Sequence, residues 1–335
     1  MRVVEPNAEV IEERDPFKLI EIAGRLCYKT EDKITENSCY DFVDMLISKK
    51  HYAMLEHGHA HFLIESKKPN HVRKLLDNIP YAVWDEFMIS NTECGFVVTL
   101  SISHLFNMNV PKLEVNSRQE VVLSNINELL LRCRNTFITC YNEGVLFSTH
   151  EVYANSAILD SEDIYSVQLI SESELQHYFK YFNANRLRDH IFTSIKFICD
   201  RGVSHELVRH RISVAQESQR YCNYSKDRFG DEITFIKPVN IDKRTEAYLI
   251  WLKVCGYSET SYFDLLNNGL KPQDARSVLP NSTKTEVILT ANCLQWEHFF
   301  DLRSKGTTGT PHPDMKVVAD IALEKYNSHI KNLNN

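Results

Sequence analysis

The sequence predicts an α+β fold. Two observations predict it: some stretches repeat apolar residues every three to four positions and others every second position, so both helices and strands are present. These stretches also follow one another without the strand–helix–strand rhythm of a doubly wound parallel sheet. The chain has 335 residues, 43% hydrophobic and 25% charged, which is enough to bury a large core. There is no internal repeat, low-complexity tract or Gly/Ser linker.

Taken in order, Pro16 opens a predicted helix, PFKLIEIAGRLCY, with Leu19, Ile20, Ala23 and Leu26 on one face. CYDFVDMLIS at 39–48 reads as a second. HAHFLIE at 59–65 alternates as a half-buried strand, and CGFVVTLSI at 94–102 reads as a buried one. Residues 120–140 carry Val122, Ile126, Leu129, Leu130, Cys133 and Phe137 at helical spacing. IYSVQLI at 164–170 is a predicted strand running into a helix whose Ser171 and Glu174 have capping-box spacing. DHIFTSIKFICD at 189–200 and EITFI at 232–236 read as strands, and 244–268 and 314–332 as long helices. TKTEVILTAN at 283–292 is a strand ending at Asn292, an N-cap for the helix CLQWEHFFDLR.

Composition excludes several classes. The formal charge is −7, so the chain is not built to coat duplex nucleic acid. Nine scattered cysteines with no Cys-x-x-Cys argue against a disulfide scaffold or a four-thiolate zinc site, and for reduced thiols in the cytoplasm. No apolar run approaches the roughly 20 residues of a membrane span, and MRVVEPNAEVIEERDPF lacks the apolar core of a signal peptide. Neither a Gly-x-Gly-x-x-Gly nor a Walker loop is present.

The densest polar segment is DRGVSHELVRHRISVAQESQRYCNYS, residues 200–225. Three readings compete for it. A zinc site is suggested by His205-Glu206, but His205 and His210 are five apart and point about 140° from each other on a helix. An exposed helix with a solvated charge run is the usual fate of such composition. Against it, an apolar strand feeds the segment and its charges alternate with Val203, Leu207, Val208, Val214 and Ala215, where an unpaired Arg is costly. The third reading is a polyanion site. Arg209, Arg211 and Arg220 carry planar forks suited to phosphate oxygens, Ser218 adds a hydroxyl, and Glu217 and Gln216 between them can take ribose or base groups.

Arg209-His210-Arg211-ISVAQE-Ser218-Gln219-Arg220-Tyr221 resembles the signature of the flavin-dependent thymidylate synthases, with six residues rather than seven between Arg211 and Ser218. HYAMLEHGHAHF is similar to the family's His-x-Ser/Thr-x-x-Glu-His segment at His51, Glu56 and His57, with Ala53 at the hydroxyl position. RLCY resembles its early flavin-contacting turn, with Cys27 at the usual Ser, and ARSVLP resembles the segment supplying a substrate-binding Arg, here Arg276. ANCLQWEHFFDLR matches a further segment at Asn292, Trp296, Phe300, Leu302 and Arg303, with Leu294 in place of an Arg and Gln295 in place of Glu. His312-Pro313 also fits.

The resemblance implies a central, mostly antiparallel sheet with surrounding helices. It implies a synthase core at 1–65 and 191–335, with 66–190 as a large insertion or added subdomain. It implies a methyltransferase that converts dUMP to dTMP with methylenetetrahydrofolate, FAD and a reduced nicotinamide, NADPH, as a cytoplasmic homotetramer that uses neither nucleic acid nor membrane. Arg303 would stabilise charge on the uracil carbonyls, and His51 would lie over the flavin. Arg209, His210, Arg211, Asn292, His298 and Cys27 would contact FAD. Ser218, Arg220, Gln216, Arg276, Glu206 and Arg209 would hold the nucleotide. No metal is implied. Ser218 lacks an adjacent base and is expected to bind, not attack. The alternatives are a catalytically impaired regulatory relative and a nucleic-acid module; the latter would need aromatic platforms or a basic stripe.

Overall fold

A computed structural model describes residues 1–79, 82–90, 92–107, 117–142, 164–178, 186, 188–225 and 230–333. The chain divides into two units. One comprises Met1–Glu13, Glu21–Ser38 and Thr193–Asn335, and the other Arg14–Ile20 and Cys39–Phe192. The sequence therefore correctly predicts mixed helix and antiparallel sheet, but the strands form more than one sheet.

In the first unit, strands β1 (Arg2–Val4) and β2 (Asn7–Ile11) come from the amino-terminal stretch, which carries no strong strand signal. Strand β2 pairs antiparallel with β7 (Phe192–Asp200), joining Ala8 to Phe197 and Val10 to Ile195. The four-stranded order is β2-β7-β10-β8, with β8 at Ser213–Gln216 and β10 at Lys284–Asn292, and β10 and β8 run antiparallel. β1 pairs parallel with β9 (Thr234–Ile236) in a separate two-stranded sheet. The predicted alternation of β7 is real: Ile195, Phe197 and Cys199 enter one core with Val287, Leu289 and Ala291 of β10. Trp296, Phe299 and Phe300 of the helix Cys293–Phe300 pack into the same core, as do Met315, Val318 and Ala322 of the helix Pro313–Leu333. The Trp296 indole N–H also donates to the Thr193 carbonyl at 3.0 Å, which satisfies the one polar atom its burial would otherwise strand.

The second unit holds the sheet β4-β5-β3-β6, formed by Val83–Met88, Cys94–Ser101, His59–Ser66 and Ile164–Ile170, each neighbouring pair antiparallel. Strand β3, which the family resemblance assigns to the core, thus pairs with two strands from the 66–190 stretch. It is more buried than its alternation suggests, because Phe62 and Ile64 enter one cluster while Leu63 joins Val97 and Ile170 on the other face. The predicted helix around 120–140 forms as Ser117–Asn142 and lays Ile126, Leu129, Cys133 and Phe137 on the first cluster. Ser171 and Glu174 close the expected capping box, the Glu174 carboxylate accepting from the Ser171 backbone at 2.5 Å. Gly58 sits where the chain passes the Pro16 carbonyl: a Cβ there would lie 2.8 Å from that oxygen and 2.7 Å from Ile20.

Trp296 anchors the first unit, so Trp296→Ala should destabilise it by about 3–5 kcal/mol. Trp296→Phe, which keeps most of the ring but loses the bond to Thr193, should cost clearly less. Urea unfolding of both variants checks this; equal losses would refute the packing argument.

Candidate functional site

The signature segment does not fold as one helix. Asp200 caps a short helix, Arg201–Leu207, by accepting from the Val203 N–H at 2.8 Å. The chain then turns through Val208–Ile212 and enters β8. Arg209 and Arg211 lie on that turn, both exposed, and among the described residues neither pairs with a carboxylate. His210 lies between them and is half-buried against the Phe299 ring at 4.8 Å.

Arg303 reaches this turn from 93 residues further on. It stands in a π-helical turn, Asp301–Lys305, that follows the helix Cys293–Phe300 and ends at Gly306 with φ 70°. Its Nη1 donates to Glu206 Oε2 at 2.6 Å and its Nε donates to His210 Nε2 at 3.0 Å. No hydrogen bond to Nη2 forms among the described residues. A ring nitrogen that accepts from Arg303 cannot carry a proton, so His210 is the neutral Nδ1–H tautomer. Its environment agrees: burial, then the Arg303 charge, then His298 push its pKa down to about 4. His298 is exposed on the same helix. Arg303, Glu206, His210 and His298, distant in sequence, are thus one constellation.

A second group surrounds the strand that follows. The Ser218 N–H donates to the Cys27 carbonyl at 3.0 Å, and the Tyr28 and Tyr221 rings meet at 5.0 Å, so RLCY, the last turn of helix Pro16–Tyr28, abuts the signature. Burial, opposed by the Gln216 backbone, raises the Cys27 thiol pKa. The Gln216 amide donates to the Ser204 hydroxyl at 2.8 Å. No base hydrogen-bonds the Ser218 hydroxyl among the described residues. Arg220 lies over the Tyr221 ring at 5.3 Å.

Arg276 is exposed, its Nε donating to the Gln273 carbonyl. Burial depresses Arg201, and Arg276 is among the charges acting on it. Beneath them Lys29 bridges Glu286 at 2.7 Å and Glu217 at 3.9 Å, and Lys284 contacts both carboxylates. Burial pushes Glu286 up, but Lys284 and Lys29 overcome it and hold the group down to about 2. In Glu217, more deeply placed, burial wins and the pKa is raised.

Two expected residues play other local parts. Asn292 accepts from the Gln295 N–H at 3.0 Å and Gln295 returns a bond to the Asn292 N–H, a complete capping box, so the Asn292 carbonyl oxygen is engaged. His51 belongs to the second unit, exposed ahead of the turn Tyr52–His57. Arg201 and Glu217 belong to the dense polar segment of the sequence, but Lys29 and Glu286 were not singled out; Lys29 follows the RLCY segment directly, which is the one signal that could have drawn attention to it.

Among the described residues no group of three or more His, Cys, Asp or Glu is placed to hold a metal ion. No helix among them is long and apolar enough to cross a membrane.

His210 supplies a pH test. Its folded pKa lies below the unfolded value of about 6.5, so the unfolded chain takes up this proton first. The group's contribution to stability is therefore complete above about pH 6.5 and declines as pH falls towards about 4. Nitrogen-15 spectra should show a neutral Nδ1–H imidazole at pH 7. In Arg303→Gln the pKa should rise, because a neighbouring positive charge is gone; an unchanged titration would contradict the contact.

The family described as thymidylate synthase complementing protein matches residues 9–69 and 140–328. A flavin-dependent thymidylate synthase of Pyrococcus furiosus is 36% identical over 143 residues, covering 41% of this chain and 58% of that protein. One from Pyrococcus abyssi is 38% identical over 106 residues, 31% and 43% of the two chains, and one from Corynebacterium diphtheriae 31% over 133, 35% and 48%. The chain thus spans about half the length of these curated relatives. A crystal structure of the UMP/dUMP methylase PolB from Streptomyces cacaoi with 5-Br dUMP aligns with TM-score 0.36 at 18% identity, over 47% of this chain and 75% of that one.

Proposed function

We propose, from the premise that the chain belongs to the thymidylate synthase complementing protein family, that it is a flavin-dependent thymidylate synthase. In this reading it methylates dUMP to dTMP, with methylenetetrahydrofolate as carbon donor and NADPH as reductant. The observation that carries the reading is Arg303: two of its nitrogens are fixed by Glu206 and His210, while Nη2 donates to no acceptor among the described residues.

The activated, nucleophilic form of uracil has enolate character, its negative charge shared between C5 and a ring carbonyl oxygen. A guanidinium already held in position stabilises that charge without reorganising. Glu206 fixes the direction of the Arg303 fork, and neutral His210 supports it without adding a competing charge. Arg220, Arg276 and Arg201 supply cations for the nucleotide phosphate, and Ser218 and Gln216 supply neutral hydrogen-bonding groups. Ser218 has no base to activate it and serves binding.

The donor set fits a flavin dinucleotide. Arg209 and Arg211 have no carboxylate partner among the described residues, as two phosphates require, and the exposed imidazole of His298 lies near His210. FAD, when bound there, supplies the hydride chemistry. Arg209, His210, Arg211 and His298, with Asn292 through its remaining amide N–H groups, would hold it; Cys27 contributes through the backbone tie to Ser218. His51 is assigned, in the same reading, to the face where the nicotinamide or folate ring enters. The active enzyme is a cytoplasmic homotetramer in this reading. The unmatched stretch between the two matched segments, 70–139, supports reading part of 66–190 as an addition to the common core.

Purified protein supplied with FAD should acquire a bound-flavin absorbance spectrum and form dTMP from dUMP, methylenetetrahydrofolate and NADPH. Nucleotide binding without product over hours would replace this reading with that of an impaired relative. Arg303→Ala should lower kcat by roughly 100- to 1,000-fold, and Glu206→Gln by less, since the guanidinium remains but is less firmly aimed. Steady-state kinetics with dUMP as the varied substrate checks both.

A further inference from the structure

The second unit encloses a cavity of ≈ 260 Å³ that shares no residue with the Arg303 constellation. That is below the roughly 300–1,000 Å³ of drug-sized pockets, so it has room for a small ring but not for a dinucleotide. Its wall includes Leu19, Phe137, His59 and His61, with the Phe192 ring stacked on His59 at 3.5 Å and 17°. Arg14 and Glu172 also line it and pair with each other at 3.4 Å, and the third ionic group of the lining, Asp15, is turned onto its own helix, its Oδ1 accepting from the Phe17 N–H at 2.8 Å.

Behind His61 runs a buried hydrogen-bonded chain. His61 Nδ1 meets Thr99 Oγ1 at 2.8 Å, its partner across β3 and β5. Thr99 Oγ1 meets His190 Nδ1 at 2.7 Å, and His190 Nε2 meets Asp85 Oδ2 at 3.2 Å. Thr99, His190 and Asp85 are 1%, 0% and 5% exposed, so no water competes for these bonds. The direction of the chain follows from its far end. Asp85 also binds the exposed Arg186 guanidinium at 3.1 Å, so its other oxygen is the one facing His190.

A carboxylate only accepts, so His190 donates from Nε2 to Asp85, and the tautomer with this single N–H leaves Nδ1 as an acceptor. Its Nδ1 accepts from the Thr99 hydroxyl, whose oxygen accepts from His61 Nδ1–H. His61 is left with a bare Nε2 lone pair, to which no hydrogen bond forms among the described residues. Burial pushes His61 down to about 3 and holds His59 well below its ordinary value, so neither imidazole is charged near neutral pH.

We propose that this cavity binds a small, neutral, planar ring carrying an in-plane N–H or O–H, with His61 Nε2 as its fixed acceptor. Much of the wall is aromatic or aliphatic, the ionic groups that line it are tied to each other or to the Phe17 backbone, and the acceptor is oriented from Asp85 through two intervening side chains. A ligand without a donor would leave Nε2 unsatisfied.

The test is calorimetry on the full chain with two probe pairs, theophylline against caffeine and phenol against anisole. Within each pair one N–H or O–H is replaced by a methylated group. For at least one pair the donor-bearing ring should bind about tenfold more tightly, the ratio expected for one hydrogen bond to a buried acceptor. The pair with the larger ratio identifies the donor class. In His61→Phe the preference should fall to within about twofold, which separates this cavity from any ring binding near Arg303.

Equal affinities within both pairs, no binding of any probe, or a preference that survives His61→Phe would overturn the proposal. Nitrogen-15 spectra of the unmutated protein provide a check that needs no variant. His61 Nε2 should be unprotonated and should shift with the preferred donor-bearing ring, whereas an Nε2–H tautomer would overturn the assignment.

Discussion

The candidate site depends on keeping one half-buried guanidinium both charged and aimed. A side chain as long as Arg303 loses considerable rotamer entropy when fixed, and its charge loses hydration when partly buried. Glu206 offsets the charge and His210 fixes the plane, so the remaining edge of the fork points where the protein's backbone dictates. The arrangement works only while His210 is neutral. The charge of Arg303 and the burial of the imidazole both favour that state, so the same proximity that orients the arginine maintains the tautomer it needs.

That clamp is positioned by the sheet of the first unit. β7 ends at Asp200, which caps the helix carrying Glu206, while β10 ends at Asn292, which caps the helix leading to Arg303. Both helices start from strands of one sheet whose side chains share a core with Trp296 and Phe299. Displacing either strand would move one half of the clamp relative to the other. Capping residues far from the guanidinium are in this sense part of what aims it.

Local features were legible in the sequence, and long-range ones were not. The capping boxes at Ser171–Glu174 and Asn292–Gln295, the alternation of β7 and the helical spacing around Cys133 are each written within a few consecutive residues. Arg303 and His210 could be picked out by their resemblance to a family pattern, but their bond spans 93 positions and no periodicity announces it. The chain of contacts from Asp85 to His61 was invisible for the same reason, since Thr99 and His190 are 91 positions apart. Even β3 misled slightly, because a strand covered on both faces buries positions that a simple alternation assigns to solvent.

The π-helical turn at Asp301–Lys305 has a consequence for descent. A π turn holds one residue more than the α-helix it interrupts, and such turns persist mainly where a site needs them. Loss of the single codon for Asp301 or Leu302 would let the ordinary helical pitch return and rotate the arginine by about 100°. The reading frame would survive and Arg303, Glu206 and His210 would all still be present, yet the clamp would be open. Selection at this point therefore acts on spacing as much as on identity.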